Sequence, residues 1–514
     1  MKRDRYILLL VVVFTSGMTG LAVEMCASRL LAPFFGTSLI VWANLIGMVL
    51  LYLTIGYYLG GRLADRFPQE KALYQLTAWA AFAIGLIPFI SSPILRWSLR
   101  GFAALSAAIL ASSLFGVILL FSVPMILLGC VSPFAIRLAV RDVSRAGNVA
   151  GGLYALSTLG SLVGTFTSVL IFIPNIGTKR TFLFYSIVLL VVSLLGLMRT
   201  AGRLAAAYLL LLIAIVSLSL LIPGGVIKPA KGAIFETEST YNYIRVVERG
   251  DWRYLELNEE LAAHSVYNPE RLLTYNIWDY FLVAPFFNPE QREEDVKSLA
   301  LIGLAAGTVA RQYSAAYGPI PIDGVEIDPE IIEVGRRYFD MNQPNLRAIA
   351  QDGRYFLLST ERRYDVIGVD AYQPPYIPFH LTTKEFFSEI KAHLNERGVV
   401  AINAGRTAED YSLVKALAST MKQVFPSVYV IDMPNEGRTL ANSLVVGTVQ
   451  PTKLENFAAN VERMTNPLIL EVARMVVGHL SEFEDSSFAF TDDKAPVEQL
   501  VHGMILNYVM SEAR

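Results

Sequence analysis

Ser298-Leu299-Ala300-Leu301-Ile302-Gly303-Leu304-Ala305-Ala306-Gly307 decides the fold of the carboxyl-terminal half of this 514-residue chain. A short apolar run meets glycines and a helical segment follows, which is the order strand, tight turn, helix. The next apolar stretch, 322–328, ends in acids about 20 residues later. Glycines at such a turn let the backbone approach a ligand, and an acid at the next strand tip can accept hydrogen bonds from ribose hydroxyls. The stretch therefore predicts a nucleotide-binding βαβ unit in which Gly303, Gly307 and Glu326 contact the ligand.

The same pattern continues along the chain. Apolar runs at 346–350, 364–369 and 398–402 end next to polar residues, and helical segments lie between them. This alternation predicts a mostly parallel, doubly wound sheet. Ligands of such sheets lie beyond the carboxyl ends of the strands, where Asp352 and Asp370 join Glu326. A glycine turn alone also occurs as a packing device, but three carboxylates around one crevice favour a cationic or polyhydroxylated ligand.

Composition limits the other classes of function. Hydrophobic residues make up 54% of the chain and the mean hydropathy is +0.45, which predicts a membrane segment. A formal net charge of -2 offers no electrostatic case for nucleic acid. The two cysteines lie in apolar segments and the five histidines form no metal-binding pattern, so we predict neither a disulfide framework nor a metal site.

The amino-terminal half contains about seven apolar runs near or above spanning length. They occupy residues 6–25, 38–59, 74–94, 103–128, 151–173, 181–198 and 206–222. The Lys and Arg residues in the segments between these runs favour a cytoplasmic amino terminus. Seven spans would then leave the carboxyl-terminal half outside, whereas a nucleoside-type ligand is expected in the cytosol. Either one run is re-entrant, or the charge bias misleads, or the domain faces outward; we expect a multi-pass protein of the cell membrane with a cytosolic catalytic domain.

Two ions lie in or beside the first apolar run, namely Glu24 and Arg29. Charges within a membrane are costly, so they carry a functional hypothesis by default. The alternatives are a mutual ion pair, or side chains that reach the membrane surface at the end of the span.

These patterns divide the chain into five parts. We predict a transmembrane domain at 1–222, a breaker-rich linker at 223–233, a small β and helical segment at 234–290, a donor-binding catalytic domain at 291–450 and a helical tail at 451–514. In the third part, two strands around Gly250-Asp251 predict a hairpin, and the aromatic-rich stretch 267–287 predicts a helix.

Residues 234 to about 447 resemble the spermidine synthases, which are polyamine aminopropyltransferases. The likeness runs through 238–244, 255–258, the glycine turn, 325–328, Asp352-Gly353 and 370–387. The amino-terminal half is similar to the membrane region of fused, multi-pass members through 29–37 and 56–66. The resemblance implies a Rossmann-like, class I methyltransferase-type domain behind a polytopic helical membrane domain.

The resemblance also implies a role for each matching residue. Glu326 would hold the ribose hydroxyls of the donor, Asp352 and Gly353 would frame its adenine, and Asp370 would accept the proton of the amine. Further donor contacts are implied at Asn242, Tyr275, Ile327 and Pro378. Acceptor contacts are implied at Tyr241, Asn276, Tyr372 and Gln373.

Three departures from the family pattern concern the acceptor and the donor's amine. Ala306 stands where the family has an acid that binds the donor's amine, Gln373 stands in place of a second carboxylate, and Asn276 stands where histidine or glutamine is common. A diamine needs carboxylates for its ammonium ends, because an unpaired buried ammonium is costly. The departures therefore predict weak use of putrescine.

The reaction implied by the resemblance is transfer of the aminopropyl group of decarboxylated S-adenosylmethionine to an amine, either putrescine to give spermidine or a related amine, with release of 5′-methylthioadenosine. A sulfonium donor is already activated, so the protein mainly positions the reactants and deprotonates the amine. One alternative is a methyltransferase of the same fold that uses S-adenosylmethionine on an amine or lipid. Another is a polyamine transporter with a sensing domain. The expected partners are the amine and the lipid bilayer. Assembly as a homodimer is left as an alternative.

Overall fold

The structure is a computed structural model that describes residues 3–36, 39–102, 108–221, 228, 230–258, 262–372, 376–434 and 440–512. The chain divides into two compact units. The first contains Met1–Ala230 together with Glu236–Tyr243, and the second contains Lys231–Phe235 together with Ile244–Arg514. The short segment 236–243 thus belongs to the helical unit although it follows the predicted linker.

The first unit is built from helices. In its described part they are α1 (Arg3–Phe35), α2 (Leu39–Arg66), α3 (Glu70–Phe102), α4 (Ala108–Gly129), α5 (Val131–Ala139), α6 (Ala146–Thr167), α7 (Ile173–Ile176), α8 (Thr178–Thr200) and α9 (Gly202–Leu221), with a π-helical turn at Ser168–Phe172. Among the described residues, seven helical stretches are long and apolar enough to cross a membrane, which confirms the predicted number. The described part of each predicted run overlaps one of them.

Small residues bring α1 and α6 into contact. A Cβ atom added at Gly160 would lie 2.1 Å from the carbonyl oxygen of Phe14, and one at Gly164 would lie 2.0 Å from that of Met18. The Ser161 hydroxyl donates to the carbonyl oxygen of Gly17 at 3.1 Å. Such close backbone approach is the usual reason for small residues at helix contacts in membranes.

Arg29, near the end of α1, binds the segment 236–243. Its guanidinium donates to the carbonyl oxygens of Tyr241 at 3.0 Å, Asn242 at 3.3 Å and Ser239. At the start of α8, the backbone N–H and hydroxyl of Thr178 both donate to the Glu238 carboxylate. Arg29, for which the sequence predicts either a function or a pairing with another charge, therefore fixes a turn of the chain.

A four-stranded sheet in the order β1-β2-β3-β4 follows the helices along the chain. The strands are β1 (Ala233–Glu238), β2 (Tyr243–Arg249), β3 (Trp252–Leu257) and β4 (Ala263–Tyr267). Strands β2 and β3 are antiparallel and Arg249 pairs with Trp252, which confirms the predicted hairpin.

The larger sheet of the second unit has the order β12-β10-β11-β9-β8-β5-β6-β7 in the described part of the chain. The strands are β5 (Leu299–Ile302), β6 (Ile322–Glu326), β7 (Leu346–Ala350), β8 (Tyr364–Val369), β9 (Leu394–Thr407), β10 (Ser427–Asp432), β11 (Leu440–Thr448) and β12 (Leu480–Glu482). Strands β5 to β9 pair in parallel, as predicted, whereas β10, β11 and β12 are antiparallel. The sheet is mixed, and the tail contributes β12 in addition to the predicted helices.

Helices cover the strands of the mixed sheet. They are α10 (Ile277–Tyr280), α11 (Thr308–Ala316), α12 (Pro329–Tyr338), α13 (Gly353–Ser359), α14 (Lys384–Ala392), α15 (Ser412–Lys422), α16 (Leu454–Val461), α17 (Pro467–Val476) and α18 (Val497–Glu512). Short 3-10 helices lie at Val143–Arg145 in the first unit and at Phe281–Phe287, Glu293–Asp295, Phe379–Leu381 and Val477–His479 in the second.

The aromatic-rich stretch 267–287 is helical only from Ile277, so the longer predicted helix is wrong. The Asn268 carboxamide oxygen accepts from the N–H groups of Glu270 and Arg271, which forms a turn at the start of the stretch. Asparagine side chains compete with helical hydrogen bonds in this way.

Candidate active site

The glycine turn after β5 approaches the segment after β8 very closely. Gly303 has φ +89°, and an added Cβ atom would lie 2.5 Å from the carbonyl carbon and oxygen of Asp370. Gly307 has φ +86° and precedes α11. Both conformations favour glycine, so the sequence pattern here reflects backbone geometry at the carboxyl edge of the sheet.

Glu326, at the end of β6, has a buried carboxylate. One oxygen accepts from the N–H of Ala305 at 2.9 Å and the other from the N–H of Asp328 at 3.2 Å. Burial raises the pKa of Glu326 to about 7, although the backbone donors oppose this shift. An ionised carboxylate can accept about four hydrogen bonds, so capacity remains for a ligand hydroxyl beside the backbone donors.

Asp370 directly follows β8, and two different side chains bind its carboxylate oxygens. Oδ1 accepts from the carboxamide of Asn403 at 2.8 Å and Oδ2 from the indole N–H of Trp278 at 3.0 Å. Burial raises the pKa of Asp370 to about 7, and the two donors limit that rise. A carboxyl group that titrates near neutral pH is suited to proton transfer.

Asp352 and Gly353 lie where β7 leads into α13. Asp352 Oδ1 accepts from the N–H groups of Arg354 at 3.0 Å and Tyr355 at 2.9 Å, so the carboxylate caps the helix. Its Oδ2 lies 3.2 Å from Nε2 of His380. An added Cβ atom at Gly353 would lie 2.2 Å from the Ile302 side chain, which again requires glycine.

Tyr275 and Asn276 lie on the turn before α10. Tyr275 has φ +52°, is 58% exposed and donates its hydroxyl to Glu471 at 2.8 Å. The Asn276 carboxamide oxygen accepts from the N–H of Ile277 at 2.8 Å and so caps α10. The buried Asp279 carboxylate accepts from the N–H groups of Thr274 at 3.0 Å and Tyr275 at 2.7 Å, which fixes the turn.

Contacts of the second unit bring several predicted residues to one edge of the sheet. The Gly303 turn touches Asp370, Ala305 binds Glu326, and the N–H of Gln351 donates to the Glu326 carbonyl oxygen at 3.0 Å. Tyr372 follows Asp370, and its hydroxyl donates to the carbonyl oxygen of Asn403 at 3.2 Å.

The remaining predicted residues differ in their surroundings. Ile327 is 41% exposed beside Glu326, and Pro378 precedes the 3-10 turn that carries His380. Tyr241 and Asn242 belong to the first compact unit, and Gln373 lies outside the described residues.

Ala306 lies in an apolar cluster rather than beside polar groups. Its side chain is buried in the cluster that contains Ile331 and Val334, and its N–H donates to the hydroxyl of Ser265 at 3.0 Å. Within the described ranges, no group of three or more His, Cys, Asp or Glu side chains is arranged to hold a metal ion.

Sequence reasoning missed Trp278, Asn403 and Asp279 as site residues. Asn403 did offer a signal, because it is a polar residue in a buried apolar strand close to the edge where Asp370 lies. Trp278 and Asp279 lie in the stretch predicted to be an aromatic helix. The sequence around them carries no pattern that indicates the groups they bind.

Comparison with known proteins places the match in the second unit. Residues 289–454 match the family of the spermine/spermidine synthase domain. A probable polyamine aminopropyl transferase of Bifidobacterium longum is 32% identical over 293 residues, which cover 54% of this chain and 64% of that relative. A polyamine aminopropyltransferase of Vibrio vulnificus is 27% identical over 280 residues, which cover 52% of this chain and 91% of the relative.

Solved structures match the same half of the chain. A probable spermidine synthase from Corynebacterium glutamicum aligns with a TM-score of 0.41 at 20% identity. The alignment covers 51% of this chain and 96% of that structure.

Proposed function

We propose that the protein is a membrane-anchored polyamine aminopropyltransferase, and the match of residues 289–454 to the family of the spermine/spermidine synthase domain supports this. The relatives it matches are named aminopropyltransferases, so the domain is that of a transferase. The protein transfers the aminopropyl group of decarboxylated S-adenosylmethionine to an amine and releases 5′-methylthioadenosine.

The donor site in this proposal is the edge formed by β5, β6 and β7. Glu326 accepts hydrogen bonds from the ribose hydroxyls, while Asp352 and Gly353 border the adenine. The close approach at Gly303 and Gly353 supports this assignment, because it leaves backbone rather than side chains at the edge. The amine nitrogen attacks the methylene carbon next to the sulfonium, the carbon–sulfur bond breaks, and its electron pair remains on sulfur.

The observation that carries the proposal is the state of Asp370 at the end of β8. A free alkyl amine has a pKa of about 10 and must lose a proton before it can attack. Burial raises the pKa of Asp370 to about 7, so its carboxylate can take up that proton near neutral pH. Trp278 and Asn403 hold the carboxylate in place.

The acceptor of this proposal is an amine other than a short diamine. Ala306 offers no charge, and its side chain is buried in the apolar cluster that contains Ile331 and Val334, where an unpaired acid would be costly. Gln373 likewise adds no carboxylate. A longer amine, or one presented at the membrane surface, can place its second ammonium elsewhere.

The test is mass spectrometry of the products formed by the purified full chain. Decarboxylated S-adenosylmethionine and S-adenosylmethionine are each supplied with putrescine, cadaverine or spermidine. We expect an aminopropylated amine and 5′-methylthioadenosine, and we expect Asp370→Asn to abolish both while it retains donor binding. Methylated products would instead establish a methyltransferase, and uptake of labelled polyamine into vesicles without any product would establish a transporter.

The choice of amine is tested by Gln373→Asp in the same assay. This variant should raise the initial rate with putrescine, because it adds a carboxylate for the second ammonium. The acceptor assignment is wrong if the unaltered protein already uses putrescine as its best substrate.

A further inference from the structure

The two nitrogen atoms that bind the Asp370 carboxylate are hydrogen-bond donors and cannot act as acceptors. The indole N–H of Trp278 and the carboxamide NH2 of Asn403 each bind one oxygen of the carboxylate. A proton added to a bonded oxygen would face a donor instead of an acceptor. Both contacts therefore favour the ionised carboxylate in one fixed orientation.

The carboxamide of Asn403 is itself oriented by a second asparagine. The NH2 group of Asn442, on β11, donates to Oδ1 of Asn403 at 2.8 Å. This leaves the NH2 group of Asn403 to face Asp370. The backbone next to this amide is held as well, because Tyr372 donates to the Asn403 carbonyl oxygen and accepts from the N–H of Gly405 at 2.9 Å.

We propose that Trp278, Asn403 and Asn442 are positioning residues for the transfer reaction, and that Asn442 acts on Asp370 only through the Asn403 carboxamide. The inference rests on the proposed role of Asp370 as the proton acceptor. The three side chains fix the carboxylate and leave the second lone pair of each oxygen for the amine. Their loss changes the pH at which the enzyme works rather than its ability to bind the donor.

Other titratable groups near Asp370 do not interfere with the pH dependence that Asp370 produces. Tyr372 lies close enough for Asp370 to raise its pKa, which burial also raises, so the phenol stays neutral near pH 7. Trp278, Asn403 and Asn442 do not titrate. Glu326 does titrate in the same range, but it is unaltered in every variant and contributes equally to all of them.

The test is the pH profile of kcat/KM for Trp278→Phe, Asn403→Leu and Asn442→Leu in the full chain. Removing a donor to the carboxylate favours its protonated form. The acid limb of the profile, where kcat/KM falls as the pH falls, should therefore move to higher pH by about one unit. The value of kcat/KM at pH 7 should then fall by about fivefold, while that at pH 9 should stay within about twofold. Affinity for 5′-methylthioadenosine should not change.

The chain provides a matched control at the opposite end of the same two strands. Asn395 donates to Oδ1 of Asp365 at 2.6 Å, so Asn395→Leu also removes an amide–carboxylate bond between β8 and β9. Its acid limb should coincide with that of the unaltered protein. A shift in this control would show that the profile responds to general loosening of the strands.

A double variant tests the route from Asn442 to Asp370. A leucine at 442 removes the donor to Oδ1 of Asn403 without adding a charge, so the Asn403 carboxamide is no longer held with its NH2 group toward Asp370. Asn442→Leu should therefore shift the limb alone but add nothing when combined with Asn403→Leu, because the coupling requires the amide. An equal additional shift in the double variant would overturn this route.

The outcomes separate this inference from the proposed function. Activity of Asp370→Asn near that of the unaltered protein would contradict the proposed role of Asp370. An inactive Asp370→Asn together with unmoved acid limbs in Trp278→Phe and Asn442→Leu would overturn the positioning inference alone. Trp278→Phe keeps the aromatic ring, so it provides this answer even if Asn403→Leu does not fold.

Discussion

Glu326 and Asp370 are carboxyl groups whose environment opposes ionisation while their hydrogen bonds favour it. Burial is the larger effect for both and raises each pKa to about 7. Both groups therefore change charge within the range of pH in which an enzyme of this kind is assayed. Their ionisation links activity and stability to pH in opposite directions.

We predict an acid limb near pH 7 in the kcat/KM profile. Asp370 must be ionised to accept a proton, so activity falls as the pH falls through about 7. The profile of kcat should show its limb at lower pH, because a bound sulfonium cation stabilises the carboxylates. Initial rates between pH 5 and 9 measure both profiles, and a flat kcat/KM would contradict the prediction.

Stability should change the other way in the protein without ligands. The folded-state pKa of Asp370 lies above the ordinary 3.8, so its contribution to stability is complete below about pH 4 and is lost as the pH rises through about 7. The Tm should accordingly fall between pH 5 and 8. Asp370→Asn should show a smaller fall in thermal melts, whereas an identical slope would show that Asp370 is not coupled to folding.

The Glu326→Ala variant should lose donor binding and keep its fold. The substitution removes the acceptor for two ribose hydroxyls, and charge-assisted hydrogen bonds of this kind contribute about 1.5–3 kcal/mol each. Calorimetry with 5′-methylthioadenosine measures the loss, and Glu333→Ala on the solvent side of α12 is the control. Unchanged affinity in Glu326→Ala would contradict the ribose role.

At the scale of elements, the sequence predicted those that carry their own pattern. Strands β5 to β9 are apolar runs bounded by turns, and the Gly250-Asp251 turn specifies the hairpin. Strand β12 has no such signal, because Leu480–Glu482 becomes a strand only by pairing with 429–431 of β10. The Trp278–Asp370 contact was equally hidden, since it joins residues that are far apart in sequence.

The tail also holds α13 through an ion pair that no local pattern indicates. Asp492 accepts from Nη1 and Nη2 of Arg354 at 2.7 and 2.8 Å and from the hydroxyl of Thr383 at 2.7 Å. Arg354 also donates to Glu389 at 2.7 Å. The tail therefore reaches the helix that begins just after Asp352.

We predict that Asp492→Ala destabilises the second unit. An exposed pair of this geometry contributes about 1 kcal/mol, which corresponds to a fall in Tm of about 2–4 °C. Thermal melts should show this fall for Asp492→Ala and not for Asp493→Ala, which changes an exposed neighbour. Equal melting temperatures would mean that the ion pair contributes nothing measurable.

At the scale of the whole molecule, the apolar helices support the proposal that the protein is anchored in a membrane, and the side occupied by the second unit is a prediction. The donor is made in the cytosol, so we expect the second unit to face it. Cys26 and Cys130 are buried, which leaves a low background for thiol labelling. Lys231→Cys places a thiol at an exposed position at the start of the second unit.

An impermeant maleimide should label Lys231→Cys only after intact cells are opened. The unaltered protein, with its two buried thiols, is the control for background. Labelling from outside intact cells would place the second unit on the outer side, as the cationic loops and the odd number of spans suggest.

The turn held by Arg29 has a consequence for where the chain can be divided. Composition suggests that the chain could be divided at 223–233, yet residues 236–243 beyond that point belong to the helical unit. A gene split there would give one product without the turn that Arg29 and Thr178 bind, and another with that turn but without its hydrogen-bond donors. A division that keeps the helical unit intact therefore lies beyond residue 243 and not within 223–233.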